Sequence, residues 1–547
     1  MYPPALLLLL LPPLLHATST TSPPHIVHIL IDDFGWNQVS YHTTSPEVVT
    51  PNIASLAASG IELNRHYVHK ICSPSRSSIQ SGRNPIHVNV QNVHPEVVNA
   101  EDEVGGWQGV PLNMTTLPRV LGETHETHFV GKWDVGMATN EHTPAGRGYG
   151  NFFGYFHHSN DYWQQTEQKC RLKPVKDLWL YNATYDGPAT WLANDDKCTD
   201  DNQAPRGRCV YEEELLLDAV LDTIDNAANA TKPLFLFYST HLTHMPLQIP
   251  AEVLALFPDV DNEYRQRMRA MSYYVDMEVG KVVDKLKETG MWENTMLVLH
   301  SDNGGEIMTQ FCGSNNFPLR GGKFSNFEGG IRVNAVVGGG WVPPARRGVK
   351  EESLVAGEDW LATYAEVAGV GDSWVTDHEA VGVGLPDFDS VSQVGMLLGE
   401  GGGRKEIVVG DTTAIAFNAD GGTLVGGVID EEGWKILVGA ENKRGKICQD
   451  VTTVDSYPNG RIRNRVPELV CRECGRTPET GCLFNVFSDE TESFNKASVE
   501  VEVFERLLKR VDELQRTVYS PDRGKKDKRA CKAVRDDYGG YWGPFVM

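Results

Sequence analysis

Cys72 is followed by Ser73, Pro74, Ser75 and Arg76, with a further arginine at Arg83. A thiol beside guanidinium groups is a candidate nucleophile. The cations favour the thiolate and grip an anion through paired N–H bonds. A buried structural cysteine is the competing reading, and this stretch alone does not displace it. Elsewhere the chain carries two adjacent carboxylates, Asp32-Asp33, and an Asp302-Asn303 pair. Neighbouring carboxylates repel, so a buried pair requires a cation or a proton. Carboxylate and amide oxygens together suit Ca²⁺ or Mg²⁺. Either pair alone also fits a polar turn.

These residues need elements to position them. The apolar run from His25 to Ile31 reads as a buried strand that stops abruptly at Asp32. Pro51 to Gly60 has helical spacing and a glycine stop, and Leu117 to Leu121 reads as another helix. His128-Phe129-Val130 predicts a strand before Gly131-Lys132-Trp133-Asp134. Pro233 to Tyr238 predicts one leading into Ser239 to His244, and Thr295 to Leu299 one leading into Ser301-Asp302-Asn303. A long helix is expected from about Glu263 to Lys287. Alternating strands and helices imply a mostly parallel α/β sheet. In such sheets ligands sit beyond the carboxyl ends of the strands. The polar clusters should therefore converge on one edge, which strengthens the metal reading beyond what either pair carries alone.

After about residue 385 the chain turns to glycine-rich stretches and short strands, such as Glu406 to Val409 and Gly433 to Gly439. The expected division is a leader at 1–22, a large α/β domain at 23–385 and a smaller α+β domain at 386–547 with an antiparallel sheet and a basic tail. The run Arg523-Gly524-Lys525-Lys526-Asp527-Lys528-Arg529 reads as a solvated tail rather than a polyanion-binding patch.

A net charge of -23, from 73 acidic and 50 basic residues, argues against a nucleic-acid binder. A composition of 40% hydrophobic and 22% charged residues is that of a globular protein. The apolar run Ala5 to Leu15 is too short to span a bilayer and resembles a secretory signal, although no Lys or Arg precedes it. No later stretch predicts a membrane span. The expected location is the secretory pathway, ending extracellular or lysosome-like. Sequons at Asn113, Asn182 and Asn229 fit that route. Of ten cysteines, nine remain if Cys72 is set apart, so at least one is left over from pairing within the chain. Cys471 and Cys474 read as disulfide partners, with Cys448 or Cys482 as candidates to join them.

CSPSR at 72–76 followed by SGR at 81–83 resembles the sulfatase signature C-x-P-S-R-x-x-x-x-T-G-R, with Ser81 in place of threonine. The resemblance runs through PNIASLAASGIELNRHYV, FVGKW, THMPLQ, SDNGG, PLRGGKFSNFEGGIRV and CLFNVFSDETESFN, covering most of residues 25 to 500. GRGYGNFFGYFHHSNDYW, THMPLQIP and NNFPLRGGKFSNFEGG look most like the arylsulfatase B branch, which includes N-acetylgalactosamine-4-sulfatase. It implies an alkaline-phosphatase-like fold, a large mixed, mostly parallel sheet flanked by helices. It implies that a formylglycine-generating enzyme converts Cys72 to formylglycine, whose hydrate attacks sulfur. Asp32, Asp33, Cys72, Asp302 and Asn303 would hold one Ca²⁺ per chain. Arg76 would steady the nucleophile, and Lys132, His244 and Lys323 would bind the sulfate, with His244 or Lys323 protonating the leaving oxygen. The substrate implied is a sulfated carbohydrate or an aryl sulfate.

One position departs from the family. The motif is usually G-K-W-H, and here it reads Gly131-Lys132-Trp133-Asp134. Asp134 can accept a proton in place of the histidine. Its charge beside a sulfate is expected to raise its own pKa and weaken anion binding. Two other readings stay open, a phosphoester hydrolase of the same superfamily and an inactive homologue that binds sulfated glycans.

Overall fold

The computed structural model describes residues 22–546, apart from 93, 172, 195–196, 201–202, 204–208, 261, 308–312, 412–423 and 441–472. The leader, Cys448 and Cys471 lie outside the described residues. The main sheet has ten strands. In chain order they are β1 (His25–Ile31), β2 (Ile61–Leu63), β3 (Glu126–Lys132), β4 (Asn151–Tyr155) and β5 (Trp179–Asn182). β6 (Tyr185–Pro188), β7 (Leu234–Ser239), β8 (Thr295–Ser301), β9 (Ala335–Gly338) and β10 (Val349–Glu351) complete it. Their spatial order is β6-β5-β4-β3-β7-β1-β8-β9-β2-β10. The central run β4-β3-β7-β1-β8 is parallel, and antiparallel pairs flank it on both sides.

The central strands are apolar throughout because both their faces are covered. Along β1, Ile26 and Leu30 enter one core, while Val27, Ile29 and Ile31 enter the other. This is the two-residue alternation of a strand. On the second face lies a long helix, Glu263–Glu288, whose Met268, Met271, Val275, Val279, Val282 and Leu286 follow helical spacing. The first face is covered by Asp359–Val367 through Trp360, Leu361, Tyr364 and Ala365.

A second, antiparallel sheet joins β11 (Glu406–Asp411), β12 (Leu424–Asp430), β13 (Trp434–Leu437) and β14 (Cys482–Asn485). Helix Val501–Gln515 covers it with Phe504, Leu507, Val511 and Leu514. Lys435 ties this lobe to the large one, at 2.9 Å from both Glu328 and Glu492.

The basic run is solvated as expected at Lys525, Lys526, Lys528 and Arg529, but it is docked on the large domain rather than free, and Arg523 departs from the expectation. Lys525–Lys526 pairs with Val97–Val98, and Cys531 is bonded to Cys170. Arg523 is buried and donates to the carbonyls of Val88, Asn89, Trp107 and Gly109. Ala530, Ala533, Val534, Trp542 and Phe545 join the core of the large sheet, as do Met396 and Leu397. Cys198–Cys209 and Cys474–Cys482 are the other disulfides among the described residues, and Cys72 is free and buried.

Candidate active site

Four strand ends deliver the polar groups to one edge of the sheet. Asp32 and Asp33 follow β1, Asp302 and Asn303 follow β8, Lys132 ends β3, and the loop after β7 carries His244. Cys72 opens the fully buried helix Cys72–Ser81, which places it at the positive end of the helix dipole. Two of its buried hydroxyls are satisfied within the helix. Ser77 donates to Pro74 O, and Ser81 to Ser77 O at 2.6 Å. The Ser81 hydroxyl, where the family pattern has threonine, therefore acts within the helix.

Arg76 braces three strand ends. Its Nε donates to Asp302 Oδ2 at 3.0 Å, and its Nη1 to Lys132 O at 3.1 Å and to Ser239 Oγ at 2.5 Å. Arg83 does not reach the site, contrary to a role in gripping anions. It pairs with Asp377 at 2.6 Å, lies over the Phe388 ring and belongs to the scaffold.

Each carboxylate of the Asp32-Asp33 pair holds a lysine. Lys132 Nζ is 2.7 Å from Asp32 Oδ2, and Lys323 Nζ is 2.7 Å from Asp33 Oδ2. Burial disfavours the charge on both lysines, but Asp32 at Lys132 and Asp33 at Lys323, together with the other acidic groups around them, outweigh it and hold them protonated. Cys72 Sγ lies 3.5 Å from Asp32 Oδ1, and burial pushes its thiol well above the usual range. An unmodified Cys72 is therefore a poor thiolate nucleophile. His244 Nδ1 bonds Met245 O at 2.6 Å and its Nε2 lies 3.7 Å from Asp33 Oδ2. Burial, then Lys323 and Lys132, holds this imidazole neutral.

The donor set fits a hard divalent cation. Ligand atoms of Asp32, Asp33, Cys72 and His244 lie within 4.8 Å of one another. Asn303 Nδ2 donates to Asp33 Oδ1 at 2.7 Å, and its Oδ1 is buried with no hydrogen-bond partner among the described residues. Asp302 joins through Oδ1, which accepts from Asp33 N at 3.2 Å. Burial and the nearby Asp32 charge raise its carboxyl. Clustered carboxylates with an orphaned amide oxygen are what such a cation requires.

Asp134 brings in a partner that sequence reasoning missed. His158 Nδ1 is 2.7 Å from Asp134 Oδ1, and Ser73 Oγ donates to the same oxygen at 2.9 Å. Asp134 Oδ2 is buried with no hydrogen-bond partner among the described residues, 4.0 Å from Lys132 Nζ. The expected rise in its pKa is reversed. Burial pushes it up, but His158, then Lys132 and Arg76, hold the carboxyl down at about 2. Asp134 in turn raises His158 against the pull of burial. His158 lies in the FHHSN stretch after β4, and its one signal was the unusual residue at Asp134. His241 is separate, fully buried and bonded to Glu212 at 3.1 Å.

The sulfatase family model matches residues 24–370. Arylsulfatase J of Mus musculus is 28% identical over 538 residues, 96% of this chain and 81% of that protein. N-acetylgalactosamine-6-sulfatase of Canis lupus familiaris is 28% identical over 359 residues, 64% of this chain and 63% of that one. The crystal structure of Ps i-CgsB in complex with k-i-k-neocarrahexaose superposes with a TM-score of 0.67 at 23% identity, covering 94% of this chain and 97% of that chain.

Proposed function

The chain belongs to the sulfatase family, and from that premise we propose that it cleaves sulfate monoesters at a formylglycine made from Cys72. The observation that carries this reading is the convergence of Cys72 with Arg76, Lys132, His244, Lys323 and the clustered carboxylates. As formylglycine, the residue supplies a hydrated aldehyde whose hydroxyl displaces the alcohol from sulfur. That modification also resolves the thiol's raised pKa, since the nucleophile becomes an oxygen.

Asp32, Asp33, Asp302 and Asn303, with residue 72, would hold Ca²⁺, which when bound polarises a sulfate oxygen and the nucleophile. Lys132, Lys323 and His244 surround the space beside residue 72 and bind sulfate oxygens, as cations placed where charge develops. A sulfate held there raises the His244 imidazole, because its negative charge opposes the effect of the neighbouring lysines. His244 then carries the proton for the leaving oxygen. Asp134 Oδ2 takes the proton from the nucleophile's hydroxyl, while His158 on Oδ1 keeps that carboxylate ionised at acid pH. The pair thus replaces the family's histidine and favours an active enzyme over an inactive glycan binder.

The substrate class is a sulfated sugar or polysaccharide. One relative is named for an N-acetylgalactosamine sulfate and one structural neighbour was solved with a neocarrahexaose. The motif stretches around 146–163 and 315–330 support a reading close to the arylsulfatase B branch. The leader and the disulfides support passage through the secretory pathway, where the formylglycine-generating enzyme would act, and an extracellular or lysosome-like destination. No helix among the described residues is long and apolar enough to cross a membrane.

The test is mass spectrometry of the Cys72 peptide from protein made in a secretory host, paired with turnover of an aryl sulfate and its phosphate analogue. Loss of mass at Cys72 and a strong preference for the sulfate are expected. A free thiol in every molecule of active protein refutes the nucleophile. Preference for the phosphate refutes the substrate class.

A further inference from the structure

Outside the cluster at Cys72, the side chains of His94, Glu96 and His157 converge, with ligand atoms all within 4.8 Å of one another. His157 is fully buried, and neither of its ring nitrogens has a hydrogen-bond partner among the described residues. His94 Nδ1 and Glu96 Oε2 are also buried there without one. Buried polar atoms are normally paired, so orphaned atoms on all three converging side chains mark a missing ligand. The orphaned set is two imidazoles and a carboxylate oxygen.

We propose that His94, Glu96 and His157 bind a divalent transition metal of the zinc class, through a ligand set distinct from the oxygen-rich cluster at Asp32 and Asp33. Two histidines and one carboxylate form a borderline donor set that zinc takes, whereas calcium takes oxygen ligands throughout. Such a set leaves a coordination position for water. Glu96 Oε1 accepts from Lys526 Nζ at 2.9 Å, which fixes the carboxylate and leaves Oε2 for the ion. Trp542 stacks on His157 with ring centroids 4.6 Å apart and closes the inner side. His94 is only half-buried and gives the ion a way in. The returning tail supplies both Lys526 and Trp542 and so braces two of the three ligands. The His94 ring lies 5.6 Å from His158, one side chain behind the Asp134 pair. The inference does not depend on the sulfate chemistry.

The experiment uses the full-length protein carrying Cys72→Ala, which removes the thiol ligand of the other cluster, freed of metal and then resupplied with Ca²⁺. Titration with Co²⁺ should give one saturating equivalent with the visible absorption of a four-coordinate imidazole site, and Zn²⁺ should displace it. Glu96→Gln and His157→Gln should each weaken Zn²⁺ binding about tenfold or more, with the melting of the metal-free protein unchanged. If both variants unfold, His94→Gln at the half-buried rim decides by the same loss. No saturable Co²⁺ or Zn²⁺ binding overturns the proposal. So does binding that survives all three substitutions, or that is lost only on Asp33→Asn.

Discussion

His158 and Asp134 share a hydrogen bond of 2.7 Å, and each changes the charge state of the other. Protons leave such a pair in steps that belong to both residues together. The sign follows from the causes. His158 is the main group holding the Asp134 carboxyl at about 2, and without it burial pushes that carboxyl up. His158→Gln should therefore move the acid limb of the kcat profile to higher pH, with turnover at acid pH falling and turnover near neutrality least affected. Asp134→Asn removes the proposed proton acceptor and should cost about 10²–10⁴ in kcat with a smaller change in KM. A profile unchanged by His158→Gln would mean that the imidazole only packs. Cys72, Arg76, Lys132, His244 and Lys323 were legible in sequence because each lies inside a motif. His158 was not, because the contact spans a strand and a turn with no local periodicity. Arg83 misled for the opposite reason. It sits in the motif, but its partner Asp377 comes from far along the chain.

The strand ends set the geometry of the site, and β3 shows how closely. Gly131 has φ 105°, and a Cβ there would lie 1.8 Å from Ser239 O on β7. Only glycine lets these two parallel strands pair while Lys132 points at Asp32. Gly131→Ala should destabilise the fold by about 1–3 kcal/mol through backbone displacement. It should also lower kcat, because Lys132 moves with the strand. Urea unfolding and steady-state kinetics on one preparation would show both losses, and a change in neither would contradict the geometry. The central strands were readable because burial on both faces forces continuous apolar runs. The docking of the tail was not, because its anchors Arg523 and Lys526 meet groups far away in the chain. Arg523 is held by backbone carbonyls of residues 88, 89, 107 and 109, and carbonyls leave no mark on a sequence. Arg523→Ala leaves these acceptors buried and unpaired and should cost about 2–4 kcal/mol. Limited proteolysis should then release the tail once Cys170–Cys531 is reduced. A tail that stays protected after both changes would show that the apolar contacts of Trp542 and Phe545 suffice.

Across the whole molecule, buried acids outweigh what their partners can neutralise. Burial raises Glu212, Glu213 and Glu278, which cluster behind β7, and raises Asp177 to about 7. Glu492 rises as well, to about 7, through burial first and the nearby Glu328 charge, against the pull of Lys435. A carboxyl raised on folding binds a proton that the unfolded chain has already released. Its contribution is present below the unfolded value of about 4 and is lost as pH climbs through the folded value. Glu358 and Asp134 act in the opposite sense. Ion pairing holds both below the usual range, so their contribution is present above about 4 and is lost in stronger acid. The two sets together place maximal stability near the ordinary carboxylate values, at about pH 4–5. Melting by differential scanning fluorimetry should therefore be several degrees higher near pH 5 than near pH 7.5. Glu278 isolates the cause, since its Oε1 is buried without a partner among the described residues and its charge faces Glu213. Glu278→Gln keeps the shape, removes the acid, and should raise the melting temperature near pH 7.5 while leaving it nearly unchanged near pH 5. Equal shifts at both pH values would show that packing, not the buried charge, limits stability there.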